Sequence, residues 1–331
     1  MDNLTHTAIG LFLARIGPAK WSPRATAVML VAANLPDADA VSWLGGTLSY
    51  LSFHRHLTHA VVLAPVMALA AVLLVRVLGR KPVAWPGAFC AALLAIASHL
   101  VLDWTNVYGI RLLLPFSSRW LRADTTSVFD LWIWAVLALG IAGPFLGRLV
   151  GSEISSGGRL NRNHGRGFAW FALLTVLFYD CGRAVLHSRV VASLESRMVE
   201  GVVPLRAAAL PDPVNPFQWR GIVETPGAYV VQDLNLVRDL GSRAQVFHKP
   251  EADPAIEAAR RSPVFQDFLR FSQYPLWRVT PYPAVENGKL VEVFDMRFGT
   301  PLAPGFMSRA VLDSGLQVVE ASFQFGTLRG R

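Results

Sequence analysis

The sequence is short of charge and short of cysteine. Charged residues fill 16% of its 331 positions, against about a quarter in soluble domains. With 53% hydrophobic residues and a positive mean hydropathy, that scarcity excludes an ordinary soluble protein. The two cysteines, Cys90 and Cys181, each lie inside an apolar run, which argues against both a disulfide framework and a thiolate zinc site. A Gly-rich phosphate loop, a Gly-x-Ser-x-Gly elbow, a Cys-x-x-Cys pair and a His-Glu-x-x-His helix are also missing. Residues 1–7 lack a basic n-region and no small-residue cleavage site follows, so the N-terminus is expected to be retained.

What the chain does have is long apolar runs. Residues 60–78, 88–102, 131–150 and 168–186 each approach the ~20 apolar residues that cross a bilayer. Two shorter runs, 4–16 and 25–35, flank a turn rich in Gly, Pro and Ser, and together predict a short helical hairpin. Beyond Arg189 the long runs stop. Short β-rich pieces at 221–223, 228–231, 291–296 and 317–325 follow, with helices expected at 255–261 and 263–271. The expected fold is a membrane α-helical bundle of about four long spans plus the N-terminal hairpin, followed by a small β-rich or α+β extramembrane domain. The corresponding domains are 1–188 and 189–331.

The net charge of +8 does not point to nucleic acid, because residues 1–187 hold 15 Lys and Arg against 8 Asp and Glu, while the remainder is nearly balanced. Ten of the fifteen fall in three short segments: Arg15, Lys20 and Arg24; Arg76, Arg80 and Lys81; Arg148, Arg159, Arg162 and Arg166. Basic loops of this kind mark the cytoplasmic side. A flexible loop is expected at 151–167. The segments 36–59 and 104–129 and the C-terminal domain then lie on the extracytoplasmic side.

That side gathers the titratable residues. Five of eight histidines lie within residues 6–99. His99 and Asp103 stand at i and i+4 on one face of an apolar helix, a spacing that suits two ligands to one ion; an interhelical His–Asp hydrogen bond is the plainer alternative. His54, His56 and His59 cluster just before the 60–78 run, with His56 the member most suited to a solvated position. Asp37 and Asp39 follow Pro36, which ends the preceding helix, and paired carboxylates bind divalent ions. His6 opens the first apolar run and Asp130 opens the run 131–150, where a helix N-cap would also account for it.

These residues sit in motifs that resemble the YdjM-like membrane-bound metal-dependent hydrolases, also described as LexA-binding inner-membrane hydrolases. The resemblance runs through Thr5-His6-Thr7, the block from Ala32 to Asp39, His54-Arg55 with Thr58-His59, Ser98-His99 with Leu102-Asp103-Trp104-Thr105-Asn106 and Tyr108-Gly109, and Leu114-Pro115-Phe116. It extends to the segments 215–220 and 223–226. His56 and Ala60 depart from the pattern, which has glycine and serine there. The resemblance implies a bacterial inner-membrane protein with a divalent-metal site.

On this reading His6, Asp37, His54, His59, His99 and Asp103 are the expected ligands of one to three ions, zinc foremost, since six donors exceed the three protein ligands of a catalytic zinc. Asp39 and Asp130 are candidate general bases, and Arg55 a candidate holder of a phosphate-like anion. The expected activity is hydrolysis of a phosphoester or other lipid-linked ester, with membrane lipids as the surroundings. A non-enzymatic metal-transport, sensing or scaffold protein is the alternative.

Overall fold

The computed structural model describes residues 1–79, 82–154, 164–199, 201–237 and 244–326. Arg80, Lys81, Arg159, Arg162 and most of the loop expected at 151–167 lie outside the described residues. Chain contacts divide the protein into two compact units: residues 1–38, 55–188 and 211–216 form one, and 39–54, 189–210 and 217–331 the other.

The first unit is helical. Asp2 caps α1 (Asn3–Ile16) by accepting from the backbone N–H groups of Leu4 and Thr5. After a turn at Pro18–Lys20, α2 (Ala25–Asn34) runs until Pro36 ends it, and α3 (Thr47–Phe53), which belongs to the second unit, follows. Then come α4 (Ala64–Gly79), α5 (Trp85–Thr105), α6 (Leu131–Ile154) and α7 (His164–Glu195).

Among the described residues three helices are long and apolar enough to cross a membrane: Val61–Gly79, Trp85–Thr105 and Gly165–Glu195. The fourth expected span forms α6, a 24-residue helix with Pro144 inside it, whose described apolar stretch runs over Leu131–Gly147. Among the described residues the long spans therefore number three, with α6 described as apolar only as far as Gly147.

Small residues set how these helices pack. The buried face of α5 reads Ala88, Ala91, Ala92, Ala95, Ile96, His99, Leu100, Asp103, a helical stripe whose N-terminal half is mostly alanine. It packs in one core with Val28, Met29, Ala32 and Ala33 of α2 and Ala68, Ala71 and Val72 of α4. At the α1–α2 contact a Cβ on Gly10 would lie 2.9 Å from Ala33 Cβ, so glycine is what allows this approach. A second core joins Ile9 and Phe12 of α1 to Ile133, Leu137, Ala172 and Val176 of α6 and α7.

The second unit is built on two four-stranded antiparallel sheets. β1 (Arg206–Pro211), β2 (Gln218–Glu224), β3 (Ala228–Asn235) and β4 (Gln245–His248) follow one another in order. α8 (Pro254–Arg260) and α9 (Pro263–Phe271) lead into β5 (Pro275–Tyr282), β6 (Gly288–Asp295), β7 (Phe306–Leu312) and β8 (Val318–Phe325), again in sequence order. Ser262 caps α9, whose Phe265, Phe268 and Phe271 share one buried face. The segment 39–54 joins this unit through α3. Thr47 Oγ1 donates to the Phe323 carbonyl at 3.2 Å, Ser52 Oγ donates to Asp267 at 3.0 Å, and Trp43 stacks on Phe325 at 5.7 Å.

Candidate metal centre

Three short pieces of the first unit converge on one buried point. α5 supplies His99 and Asp103 from consecutive turns of its stripe. The single turn Leu57–His59 supplies His59, and the turn that Pro36 forces at the end of α2 supplies Asp37. Donor atoms of these four residues lie within 4.8 Å of one another, and all four are buried. His59 Nε2 is 3.1 Å from Asp103 Oδ2 and 3.1 Å from His99 Nε2. Asp37 Oδ1 stands 3.5 Å from His59 Nε2 and 3.7 Å from His99 Nε2.

The protonation pattern fits a metal. His99 Nδ1 is 2.7 Å from the carbonyl oxygen of Ala33, which only accepts, so Nδ1 carries the proton and Nε2 turns a lone pair into the cluster. That lone pair meets a second imidazole nitrogen and two carboxylates. Three or more acceptors facing one another at such distances repel unless a proton or a cation lies among them. The Asp37 Oδ1 atom and both ring nitrogens of His6 are moreover buried without a hydrogen-bond partner among the described residues. His6 stacks on His99 with ring centroids 3.7 Å apart, and its Nε2 is 3.4 Å from Asp103 Oδ1. Burial works to raise the Asp37 pKa, but neighbouring His59, with the charges of His99 and Arg55, holds it at about 2. Asp37 is therefore a carboxylate at neutral pH.

The second layer fixes the first. Arg55, at positive φ (56°), directs Nη2 to Asp103 Oδ1 at 2.9 Å and Nη1 to Asn106 Oδ1 at 3.1 Å. Asn106, fully buried, returns Nδ2 to Asp103 at 3.3 Å while its Oδ1 also accepts from the Tyr108 backbone N–H. The Met1 amino group contacts Asp103 Oδ1 as well. Thr58 Oγ1 sits 3.0 Å from His59 Nδ1. Farther out, Asn34 donates to Thr7 Oγ1 at 2.9 Å and ties the end of α2 to α1.

Asp37, His59, His99 and Asp103 are thus brought together, with His6 and Arg55 against them. Asp39 and His54 fall in the second unit, where they pair with each other at 2.8 Å and His54 stacks on Tyr50. His56 is half-buried ahead of the Leu57–His59 turn. Asp130 takes a different place in the first unit. Its Oδ1 accepts from the backbone N–H groups of Trp132 and Ile133 as the cap of α6, and from the Tyr179 hydroxyl at 3.2 Å. Burial raises its pKa against those bonds. The brace that sequence reasoning passed over is Asn106. Its signal was an amide three residues beyond Asp103, where the helix gives way to extended backbone.

A protein-family model described as YdjM inner membrane protein matches residues 1–190. The chain is also 26% identical over 317 residues to the Bacillus subtilis (strain 168) protein described as Uncharacterized protein YfhP, a match covering 90% of this chain and 87% of that protein. No solved structure matches the chain significantly.

Proposed function

The chain belongs to the YdjM inner membrane protein family, and from that membership and the buried donor cluster we propose that it is a membrane-bound, metal-dependent hydrolase of phosphoesters or other lipid-linked esters. One observation carries the reading: two imidazoles and two carboxylates within 4.8 Å of one another, one imidazole held in the ligating tautomer by Ala33. Asp37, His59, His99 and Asp103 would hold the ion, with His6 beside them. A divalent ion there, zinc by its affinity for imidazole and carboxylate, would polarise a phosphoryl or carbonyl oxygen and acidify a bound water.

The remaining residues bind and orient. Arg55 neutralises Asp103 and fixes its carboxylate plane, and its guanidinium, lying against the cluster, would hold the anionic oxygen of a phosphoester. His99 and Asp103 sit in the last two turns of α5, and the helix ends at Thr105, so the cluster lies near the end of a membrane helix and not at mid-depth. That position favours an ester carried at the headgroup level. It disfavours ion permeation, which places its ligands at the bilayer midplane. The basic segments, including Arg15, Lys20 and Arg24, assign the opposite end to the cytoplasm, so we place the cluster on the extracytoplasmic face, with α6 as a fourth crossing.

The test is hydrolysis by the full-length protein in detergent, using a chromogenic phosphodiester and a short-chain phospholipid. Zinc-loaded protein is expected to cleave at least one of them, with chelation and Asp37→Asn each abolishing the reaction. Turnover that survives both treatments would exclude this site as its source, and no turnover by a metal-loaded protein would move the cluster to a non-enzymatic role.

A further inference from the structure

A second constellation lies at the other end of the helical unit. α1 brings His6 to the metal cluster, and Arg15 follows nine residues later, about 13 Å along the axis at ~1.5 Å per residue. There the last turn of α1, Lys20 of the turn that follows, Pro144 and Phe145 of α6, and Arg166 of α7 line a cleft of about 310 Å³. Three cations line it and, among the described residues, no carboxylate does. Arg15 Nη1 is buried without a hydrogen-bond partner among the described residues. Leaving a charged donor unsatisfied under cover is costly, more so than for a neutral group.

The positive-inside tendency accounts for cations near helix ends. It does not require them to converge on one concavity, nor to bury a guanidinium nitrogen with nothing among the described residues to donate to. The missing partner is an anion with several acceptor oxygens, which matches the fork of an arginine. Part of the lining is apolar, since Pro144 and the exposed Phe145 contribute no polar side-chain atom to it. The candidate span Gly165–Glu195 begins at the rim, so the cleft opens where a membrane helix leaves the bilayer. A soluble anion would have no use for the apolar lining, whereas a lipid places glycerol and acyl carbons beside its phosphate.

We propose that this cleft binds the phosphate headgroup of an anionic membrane lipid, with Arg15, Lys20 and Arg166 on the phosphate and Phe145 against the lipid body. The lipid serves as a fixed component of the cytoplasmic end of the fold and not as the substrate of the metal centre.

Native mass spectrometry of the full-length protein released from phosphatidylcholine nanodiscs, with and without phosphatidylglycerol, tests this. Wild type is expected to retain phosphatidylglycerol in preference to phosphatidylcholine. Arg15→Gln and the exposed-site variant Arg166→Gln should each weaken retention roughly tenfold, the loss of one charge-assisted contact. Excess inorganic phosphate should not displace the lipid. Retention unchanged in the Arg15→Gln/Arg166→Gln double variant would overturn the proposal, and displacement by inorganic phosphate would overturn the lipid in favour of a free anion.

Discussion

His99 shows how much of the site one side chain can determine. Its Nδ1–H is spent on the Ala33 carbonyl, and that single bond leaves Nε2 a lone pair to offer an ion in place of a proton to donate. Asn106 does the same for Asp103 by holding the carboxylate and the Arg55 guanidinium together. Asn106→Ala should weaken zinc binding about 10–100-fold, the usual cost of losing such a support, as read by competition with a chromophoric chelator. Asp130→Asn should leave zinc binding unchanged. It should lower stability by no more than about 1 kcal/mol through a weaker cap on α6, measured as a shift of the melting midpoint in detergent. His99 and Asp103 were legible as a pair because one helix at i, i+4 carries them both. Their meeting with Asp37 and His59 was not legible from local spacing, since those residues lie 40 or more positions away; the shared side of the membrane and the motif resemblance were what grouped them.

At the scale of elements, small residues decide the architecture of the first unit. A larger side chain on the α5 stripe or at the α1–α2 approach must push helices apart, and the ligands ride on those helices. Ala95→Leu, at a fully buried position, should destabilise the protein by about 1–3 kcal/mol through overpacking. Gly10→Leu should do at least as much, with Ala33 Cβ already 2.9 Å from where the new Cβ would sit, and should also loosen zinc because Ala33 orients His99. Thermal unfolding and chelator competition on the same samples measure both effects. The long helices were plain from apolar run length, as were the hairpin and the helices beginning at Pro254 and Pro263, where proline and a capping residue coincide. Strands such as Pro275–Tyr282 were harder to see, because a proline at each side of an apolar core of only a few residues masks the alternation. The run 131–150 read as a crossing on hydropathy, and it forms α6, described as an apolar helix over Leu131–Gly147.

For the molecule as a whole, the compact units do not follow the order of the chain. Asp37 and Asp39 are two residues apart, yet they belong to different compact units, and residues 39–54 pack with the β-rich unit through Thr47, Ser52 and Trp43. Such an excursion leaves no mark in composition, since it depends on which partners α3 finds. Phe268→Ala, which empties a fully buried aromatic site of the second unit, should destabilise that unit by about 3–5 kcal/mol and raise its protease sensitivity while the zinc content of the protein stays the same. The central claim is the metal, and it is tested most directly by elemental mass spectrometry of the detergent-purified full-length protein beside its His99→Ala/Asp103→Ala variant. The account predicts at least one zinc, or a comparable divalent ion, per wild-type chain and near-complete loss in the variant. A folded wild-type protein that stays metal-free after reconstitution with zinc and manganese would contradict it, and would leave the cluster a hydrogen-bonded tie between helices.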